Sequence, residues 1–147
     1  MKEQRKIKDP LTTFIFGDLN FRNKHTFESS SKLLNNYEKV SSFSKKQQII
    51  KELTELDEYL MESKDQYLEN LRENSITFLP TYKYIPGTNR YDLREGKRIP
   101  SYTDRILYID EYCVLSSMSY KRPEGVFFSD HKPLIFSCWV KIKSFDT

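Results

Sequence analysis

The sequence predicts a layered domain that mixes helices and strands, of the α/β or α+β class. Three observations predict it: a β-branched and aromatic run at 12–16, a helical pattern over 45–74, and several apolar, strand-like runs after residue 104. The chain has 147 residues, which is enough for one domain with its own core. Aromatic residues make up 14% of it, and disordered chains are poor in them. Strands and helices in this order are typical of layered domains.

The first half of the chain contains the predicted helices. Residues 1–12 are charged and are expected to be frayed, whereas 12–16 (TTFIF) ends at Gly17 and is predicted to be a buried strand. Residues 23–46 are rich in Ser, Asn and Lys and show no clear pattern. Apolar side chains three or four positions apart then predict an amphipathic helix or a helical pair over 45–74, namely Ile49, Leu53, Leu56, Leu60, Leu68 and Leu71.

The second half contains most of the predicted strands. A short strand is predicted at 75–78, followed by a long loop over 81–102 that is rich in Tyr, Lys and Arg. Further strands are predicted at 105–109, 112–118 and 134–143. Cys113 and Cys138 lie inside such apolar runs, so we expect buried free thiols in a reducing compartment.

Charge and hydropathy exclude some functions. The net charge is only +3, too small to imply nucleic-acid or membrane binding by the whole chain, although a local basic patch would favour an anionic substrate. No run resembles a secretory signal, and none is long enough to span a bilayer. The sequence therefore predicts a soluble cytoplasmic protein.

Three short polar segments contain the residues suited to chemistry, and each lies at the end of an apolar run. They are Gly17-Asp18-Leu19-Asn20, Asp104-Arg105 and Ser129-Asp130-His131. Strands of one sheet could bring them together. Their carboxylates, amide and imidazole suit hydrolysis of a phosphate ester assisted by Mg²⁺, because hard oxygen ligands hold that ion and a carboxylate can activate water. Each segment alone is more often a simple turn, so the prediction depends on their occurring together.

Four segments carry a family resemblance. FIFGDLNFR (14–22) and RIPSYTDRIL (98–107) resemble the two signature motifs of the inositol polyphosphate 5-phosphatases. SDHKPL (129–134) is similar to that family's closing motif, and ITFLPTYKY (76–84) resembles its substrate loop. The first motif departs from the family at Ile15, where Trp is usual. The resemblance runs from about residue 14 to 140 and matches poorly over 23–55.

The resemblance implies a fold and an incomplete domain. The family shares the deoxyribonuclease I-like fold, a four-layered α/β/β/α sandwich, and domains of this family are about twice as long as this chain. Residues 13–143 are therefore expected to be the C-terminal half of a catalytic domain. The N-terminal half, with its Glu metal ligand, is expected to be absent, which would leave an apolar face exposed.

The resemblance also implies roles for site residues. Asp18 would activate the attacking water, and Asn20 would orient that water or the phosphate. His131 would contact the scissile phosphate, Asp104 would be its hydrogen-bonded partner, and Asp130 would lie near the water or the metal. The cofactor implied is Mg²⁺, with Asp130 as the metal ligand within this chain. Arg22 and Arg105 are expected to be structural partners of the site carboxylates.

The basic loop separates a phosphatase from a nuclease. The resemblance implies that the 4-phosphate, next to the scissile 5-phosphate, is bound by Tyr82, Lys83 and Lys97, with Arg98 beside them. The physical reason is that adjacent phosphates require adjacent cations. The implied substrate is an inositol phosphate or a phosphoinositide headgroup, the latter with peripheral contact at the cytosolic membrane face. Two alternatives stay open: an inactive half-domain that acts as a binding module, and a nuclease or phosphodiesterase of the same fold.

Overall fold

A computed structural model describes residues 12–62, 70–94 and 96–142. The elements are β1 (Thr12–Asp18), α1 (Phe27–Lys39), α2 (Phe43–Thr54), α3 (Glu58–Glu62), β2 (Arg72–Glu73), β3 (Asp104–Asp110), β4 (Leu115–Lys121) and β5 (Ile135–Val140). They form a three-stranded sheet in the order β1-β3-β2 and a two-stranded sheet of β4 and β5. All strand pairs are antiparallel.

The predicted strands at 12–16 and 105–109 are confirmed as β1 and β3, which pair along their whole length. The prediction that 12–16 is buried is wrong, because β1 lies at the edge of its sheet, where Phe14, Ile15 and Phe16 are 37%, 40% and 72% exposed. The strand predicted at 112–118 lies three residues further on, because Asp110 accepts hydrogen bonds from the backbone N–H groups of Val114 and Leu115 and closes a turn. Cys113 has a positive φ of 51° in that turn. It is exposed and Cys138 is half-buried, so the prediction that both thiols are buried is wrong.

The helical prediction over 45–74 is confirmed in α2 and α3 and wrong at its end, where Arg72–Glu73 pairs with β3 as strand β2. The strand predicted at 75–78 is also wrong, because β1 and β2 already occupy the two edges of β3. Residues 23–46, for which the sequence shows no clear pattern, contain α1. This helix begins after Thr26, whose side chain caps it by accepting from the N–H of Ser29. Residues 1–11, which are predicted to be frayed, and Leu68 lie outside the described residues.

The core lies between the helices and the two sheets. Its members are buried apolar and aromatic side chains from α1, α2, β4 and the segments before β3: Leu34, Ile49, Ile50, Leu53, Phe78, Leu79, Tyr102 and Tyr120. The Tyr120 hydroxyl joins the two sheets, since it accepts from the backbone N–H of Ile106 in β3. Within the described residues, no helix is both long and apolar enough to cross a bilayer.

A buried charge cluster connects the helical and strand regions. The Arg105 guanidinium donates to both oxygens of Asp57 at 2.7 and 3.1 Å, and its Nη2 lies 3.1 Å from Glu73 Oε2. Glu73 also accepts from the Tyr120 hydroxyl at 2.9 Å. One guanidinium thus faces two buried carboxylates. Burial raises the pKa of Glu73 to about 7, although the Arg105 charge opposes this.

This cluster predicts that stability falls as pH rises. Between its unfolded pKa near 4.3 and its folded pKa of about 7, Glu73 holds a proton in the folded state and releases it on unfolding. We expect the free energy of unfolding to be on the order of 2 kcal/mol lower at pH 8 than at pH 5. Urea denaturation at both pH values measures this, and Glu73→Gln should remove most of the difference. An unchanged pH dependence in the variant would exclude Glu73 as its source.

Candidate active site

The first polar segment turns away from the sheet at the end of β1. Asp18 is the register partner of Asp104 across β1 and β3, so these two predicted site residues begin on adjacent strands. Asn20 has a positive φ of 60°, a conformation that Asn tolerates, and its N–H donates to Asp18 Oδ1 at 3.0 Å. The backbone N–H groups of Leu19 and Asn20 also donate to the Thr103 carbonyl. Local hydrogen bonds therefore hold Asp18 and Asn20 beside β3.

The third polar segment reaches the same place from the other sheet. His131 precedes β5, and its Nδ1–H donates to Asp104 Oδ2 at 2.9 Å. The same carboxylate oxygen accepts from the Thr103 hydroxyl at 3.0 Å. An ionised carboxylate can only accept, which assigns the proton to Nδ1 and directs Nε2 away from Asp104. The expectation that strands of a single sheet would bring all three segments together is wrong, because His131 comes from the loop before β5.

The substrate-loop segment lies between these two polar segments. Tyr82 and Ser101 exchange two backbone hydrogen bonds of 3.2 and 2.7 Å. On the other side, the N–H of Tyr84 donates to the Asp130 carbonyl at 2.9 Å, and the N–H of Lys132 donates to the Thr81 carbonyl at 2.8 Å. The segment 81–84 thus fixes the separation of Asp104 and His131, although it is in no regular strand.

The Tyr82 ring is part of the site's packing. It is almost buried and lies against the His131 ring, with centroids 4.6 Å apart. Two cations approach the same ring: Arg22 at 5.0 Å and Lys83 at 5.5 Å from the centroid. Such contacts stabilise a cation near an aromatic face. The Tyr82 ring therefore packs against the His131 imidazole and also contacts two cationic side chains.

The cations predicted to bind substrate differ in their burial and in their ion pairs. Lys83 is half-buried, and its Nζ lies 3.4 Å from Asp130 Oδ2. That hydrogen bond raises the pKa of Lys83. Lys97 and Arg98 are exposed on the loop that leads into Ser101. Lys83 is thus the cation that the structure joins directly to the polar segments.

The arginines have partners other than those expected. Arg105 binds Asp57 and Glu73 instead of a site carboxylate, so that prediction is wrong. Arg22 Nη1 donates to the amide oxygen of Asn20 at 3.1 Å. Adjacent strand residues point to opposite faces, and for this reason Arg105 enters the core while Asp104 faces His131.

The described residues do not form a metal site by themselves. Asp18, Asn20 and Asp130 have oxygen atoms of the type that Mg²⁺ prefers. However, the Asn20 oxygen accepts from Arg22, and Asp130 faces the Lys83 ammonium. Nowhere in the described ranges do three His, Cys, Asp or Glu side chains lie close enough to hold a metal ion. Asp130 as a metal ligand therefore gains no support from this arrangement.

Two threonines were missed by the sequence reasoning. Thr103 bonds the Asp104 carboxylate, and the Thr81 hydroxyl accepts from the backbone N–H of Asp104 at 3.3 Å. Both are fully buried. The available signal was their position directly beside Asp104 and Tyr82, because a hydroxyl that is buried there needs a partner.

Comparison with known proteins defines the class. The family model described as "Endonuclease/Exonuclease/phosphatase family 2" matches residues 1–137, and the chain belongs to this family. The resemblance to inositol polyphosphate 5-phosphatases is confirmed by curated relatives, some of which carry that name and others the name of phosphatidylinositol phosphate 5-phosphatases.

Two curated relatives illustrate the match. The phosphatidylinositol 4,5-bisphosphate 5-phosphatase INP51 of Saccharomyces cerevisiae is 36% identical over 129 residues, which are 88% of this chain and 12% of INP51. The human phosphatidylinositol polyphosphate 5-phosphatase type IV is 31% identical over 133 residues, covering 88% of this chain and 19% of that protein. This chain therefore spans a small part of the length of these relatives.

The solved structures confirm the predicted fold class. The 5-phosphatase domain of spsynaptojanin, in complex with inositol (1,4)-bisphosphate and a calcium ion, has a TM-score of 0.66 and 29% identity, covering 87% of this chain and 34% of that one. A mutant of Cimex nitrophorin, in a ferrous NO complex, has a TM-score of 0.71 and 28% identity, covering 93% of this chain and 45% of that one. Since one fold occurs in such different proteins, the chemistry must be argued from the site.

Proposed function

We propose that this chain provides part of the active site for Mg²⁺-dependent hydrolysis of the 5-phosphate of inositol polyphosphates or phosphoinositides. The observation that carries the proposal is the 2.9 Å hydrogen bond between His131 and Asp104, which joins two motifs 27 residues apart. The names of INP51 and the type IV enzyme support this substrate class, and the inositol bisphosphate in the spsynaptojanin complex supports the same headgroup.

The proposed mechanism is direct attack by water. Asp18 takes a proton from the water, whose oxygen bonds to phosphorus as the bond to the ring oxygen breaks. The inositol leaves with that oxygen, which takes up a proton from solvent, and Asn20 orients the water or the phosphate. Asp104 holds a positively charged imidazole, so that the Nε2–H of His131 donates to a phosphoryl oxygen and stabilises its developing charge. Asp130 lies beside the water. No covalent enzyme intermediate is formed.

The metal and the exposed apolar face both point to a longer domain. Among the described residues, no three His, Cys, Asp or Glu side chains lie close enough to hold a metal ion, so we propose that Mg²⁺ is held with ligands from the rest of the protein. Between β1 and β5, a groove is lined by Phe14, Phe16, Ile106, Leu134 and Phe136. Phe16 is 72% exposed there. We propose that the N-terminal half of the sandwich covers this face in a cytoplasmic protein.

The experiment that tests this proposal uses a chimera. In the chimera, this chain replaces the matching 129-residue region of INP51. We expect the chimera to release phosphate from a 4,5-bisphosphorylated inositol headgroup with Mg²⁺, and a cooperative thermal transition shows that it is folded. A folded chimera that releases no phosphate would contradict the proposed function.

A binding module without activity is the second candidate. It is favoured by the pairing of Asp130 with Lys83 and by the lack of a three-ligand cluster among the described residues. The result that would distinguish this candidate is a chimera that binds the headgroup but does not hydrolyse the headgroup phosphate. Cleavage of DNA in preference to the headgroup would instead support the nuclease alternative.

Lys83 is predicted to affect the use of the 4-phosphate. In the chimera, Lys83→Ala should raise KM for a 4,5-bisphosphorylated headgroup about tenfold, because one charge-assisted contact is lost. A 5-phosphorylated headgroup without the 4-phosphate should show little change. Lys51→Ala, at an exposed position on α2, is the matched control. An equal loss on both substrates would mean that Lys83 acts through Asp130 and not on the 4-phosphate.

A further inference from the structure

Two adjacent phenylalanines immediately before the Ser129-Asp130-His131 segment are exposed. Phe127 is 45% exposed and Phe128 is 83% exposed. Phe128 is the most exposed aromatic side chain in the described part of the chain. Exposing a large aromatic ring to water is unfavourable, so a ring presented beside a candidate site suggests a binding surface.

The backbone below these rings is firmly held. The Phe127 carbonyl accepts from the N–H of Gly87 at 2.6 Å, which ties the aromatic pair to the turn at Pro86-Gly87. Lys132 is fully buried, and its ammonium donates to the carbonyls of Val126 at 2.7 Å and Glu124 at 3.3 Å. Phe128 is therefore presented from an anchored loop.

The surroundings of the aromatic pair are basic. The segments 82–98 and 121–132 together contain eight Lys and Arg against four Asp and Glu, and of these cations Arg122 and Lys132 are buried. Three of these acids are paired, Asp92 with Arg94, Glu124 with Arg122 and Asp130 with Lys83. Arg90, in the turn beside Gly87, is exposed, as are Lys97 and Arg98. An exposed aromatic pair tied to a turn that carries an exposed arginine fits a surface that is anionic outside and apolar within.

We propose that Phe127 and Phe128 insert into the interfacial region of an anionic lipid bilayer while the surrounding cations contact its headgroups. Aromatic side chains are favoured at this depth, and each nearby Lys or Arg adds attraction to anionic lipid. The proposal rests on the proposed function for its meaning: because His131 is three residues from Phe128, insertion brings the site to a lipid-borne headgroup. It assigns the lipid-borne substrate, and not only the free inositol phosphate, to this chain.

A tryptophan reporter tests where the chain contacts the bilayer. The chain has one Trp, Trp139 on β5. In the Trp139→Phe background, Phe128→Trp should shift its emission to shorter wavelength with phosphatidylcholine vesicles containing phosphatidylserine, and brominated acyl chains should quench it. Phe16→Trp in the same background reports on the apolar groove, and native Trp139 reports on β5. Equal or stronger quenching at either of these two positions would overturn the proposal.

A matched pair of serine substitutions tests the energetic contribution. Phe128→Ser should lower the partition of the chain onto phosphatidylserine vesicles about tenfold, because one aromatic side chain no longer enters the interface. Phe43→Ser removes a ring of similar exposure, 76%, at the start of α2 and should leave the partition unchanged. Equal losses in the two variants would overturn the proposal.

The vesicles separate this proposal from the proposed function. Phosphatidylserine vesicles contain no phosphoinositide, so reporter quenching does not require catalysis. Quenching without phosphate release by the chimera would support the membrane surface and contradict the enzyme. Phosphate release without quenching of the Phe128→Trp reporter would support the enzyme and contradict the membrane surface. Weaker quenching with pure phosphatidylcholine is expected, because the cations then have no anionic headgroups to contact.

Discussion

His131→Ala is expected to lower kcat/KM of the INP51 chimera about 10³-fold, because the imidazole would no longer stabilise charge on the phosphoryl oxygen. Removing one such preorganised group typically costs a factor of 10² to 10³. The measurement is initial phosphate release from a 4,5-bisphosphorylated headgroup with Mg²⁺. The other histidine of the chain is the control, since His25 bonds to the Glu52 carbonyl, away from the polar segments.

Asp104→Asn should act through the same imidazole and cost about 10²-fold. The amide has nearly the same size, but it carries no charge to support a positively charged His131 and can present an N–H instead of an acceptor. If the two residues act as a unit, the double variant should be little worse than His131→Ala alone. Additive losses would separate their roles, and an unchanged rate in His131→Ala would remove His131 from the mechanism.

Arg105→Met is expected to lower the free energy of unfolding by about 3–5 kcal/mol. Methionine fills part of the volume, but Asp57 and, above its pKa of about 7, Glu73 lose their shared cation. Urea denaturation of the chain alone measures the change, with Arg90→Met at an exposed position as the control. A loss below about 1 kcal/mol would show that water reaches these carboxylates.

A second variant distinguishes the lost ion pair from lost packing. In Arg105→Met with Asp57→Leu and Glu73→Gln, no buried carboxylate remains without a partner. Replacing a whole buried charge cluster is often neutral or stabilising, so this triple variant should recover much of the stability lost in Arg105→Met. If the triple variant is as unstable as the single one, the shape of the arginine side chain is what stabilises the fold.

The elements predicted well are those with strong local patterns. Strand β1 begins with a β-branched and aromatic run, β3 contains the apolar run ILYI, and α2 repeats its apolar residues every three or four positions. The missed elements have weak patterns. Helix α1 is polar, with Ser30 and Leu34 as its buried residues, and β2 is two residues long. Their formation depends on contacts with α2 and β3, which no short window of sequence contains.

The site divides in the same way. The motifs indicated that Asp104 and His131 belong together, and the residue order places Asp104 and Arg105 on opposite faces of one strand. Local sequence therefore determined which side chains are available and which way they point. Their partners were decided only by the tertiary structure. Arg105 finds Asp57 and Glu73, 48 and 32 residues away, because burying a guanidinium requires nearby carboxylates, and only packing of the helices on the sheet brings them there.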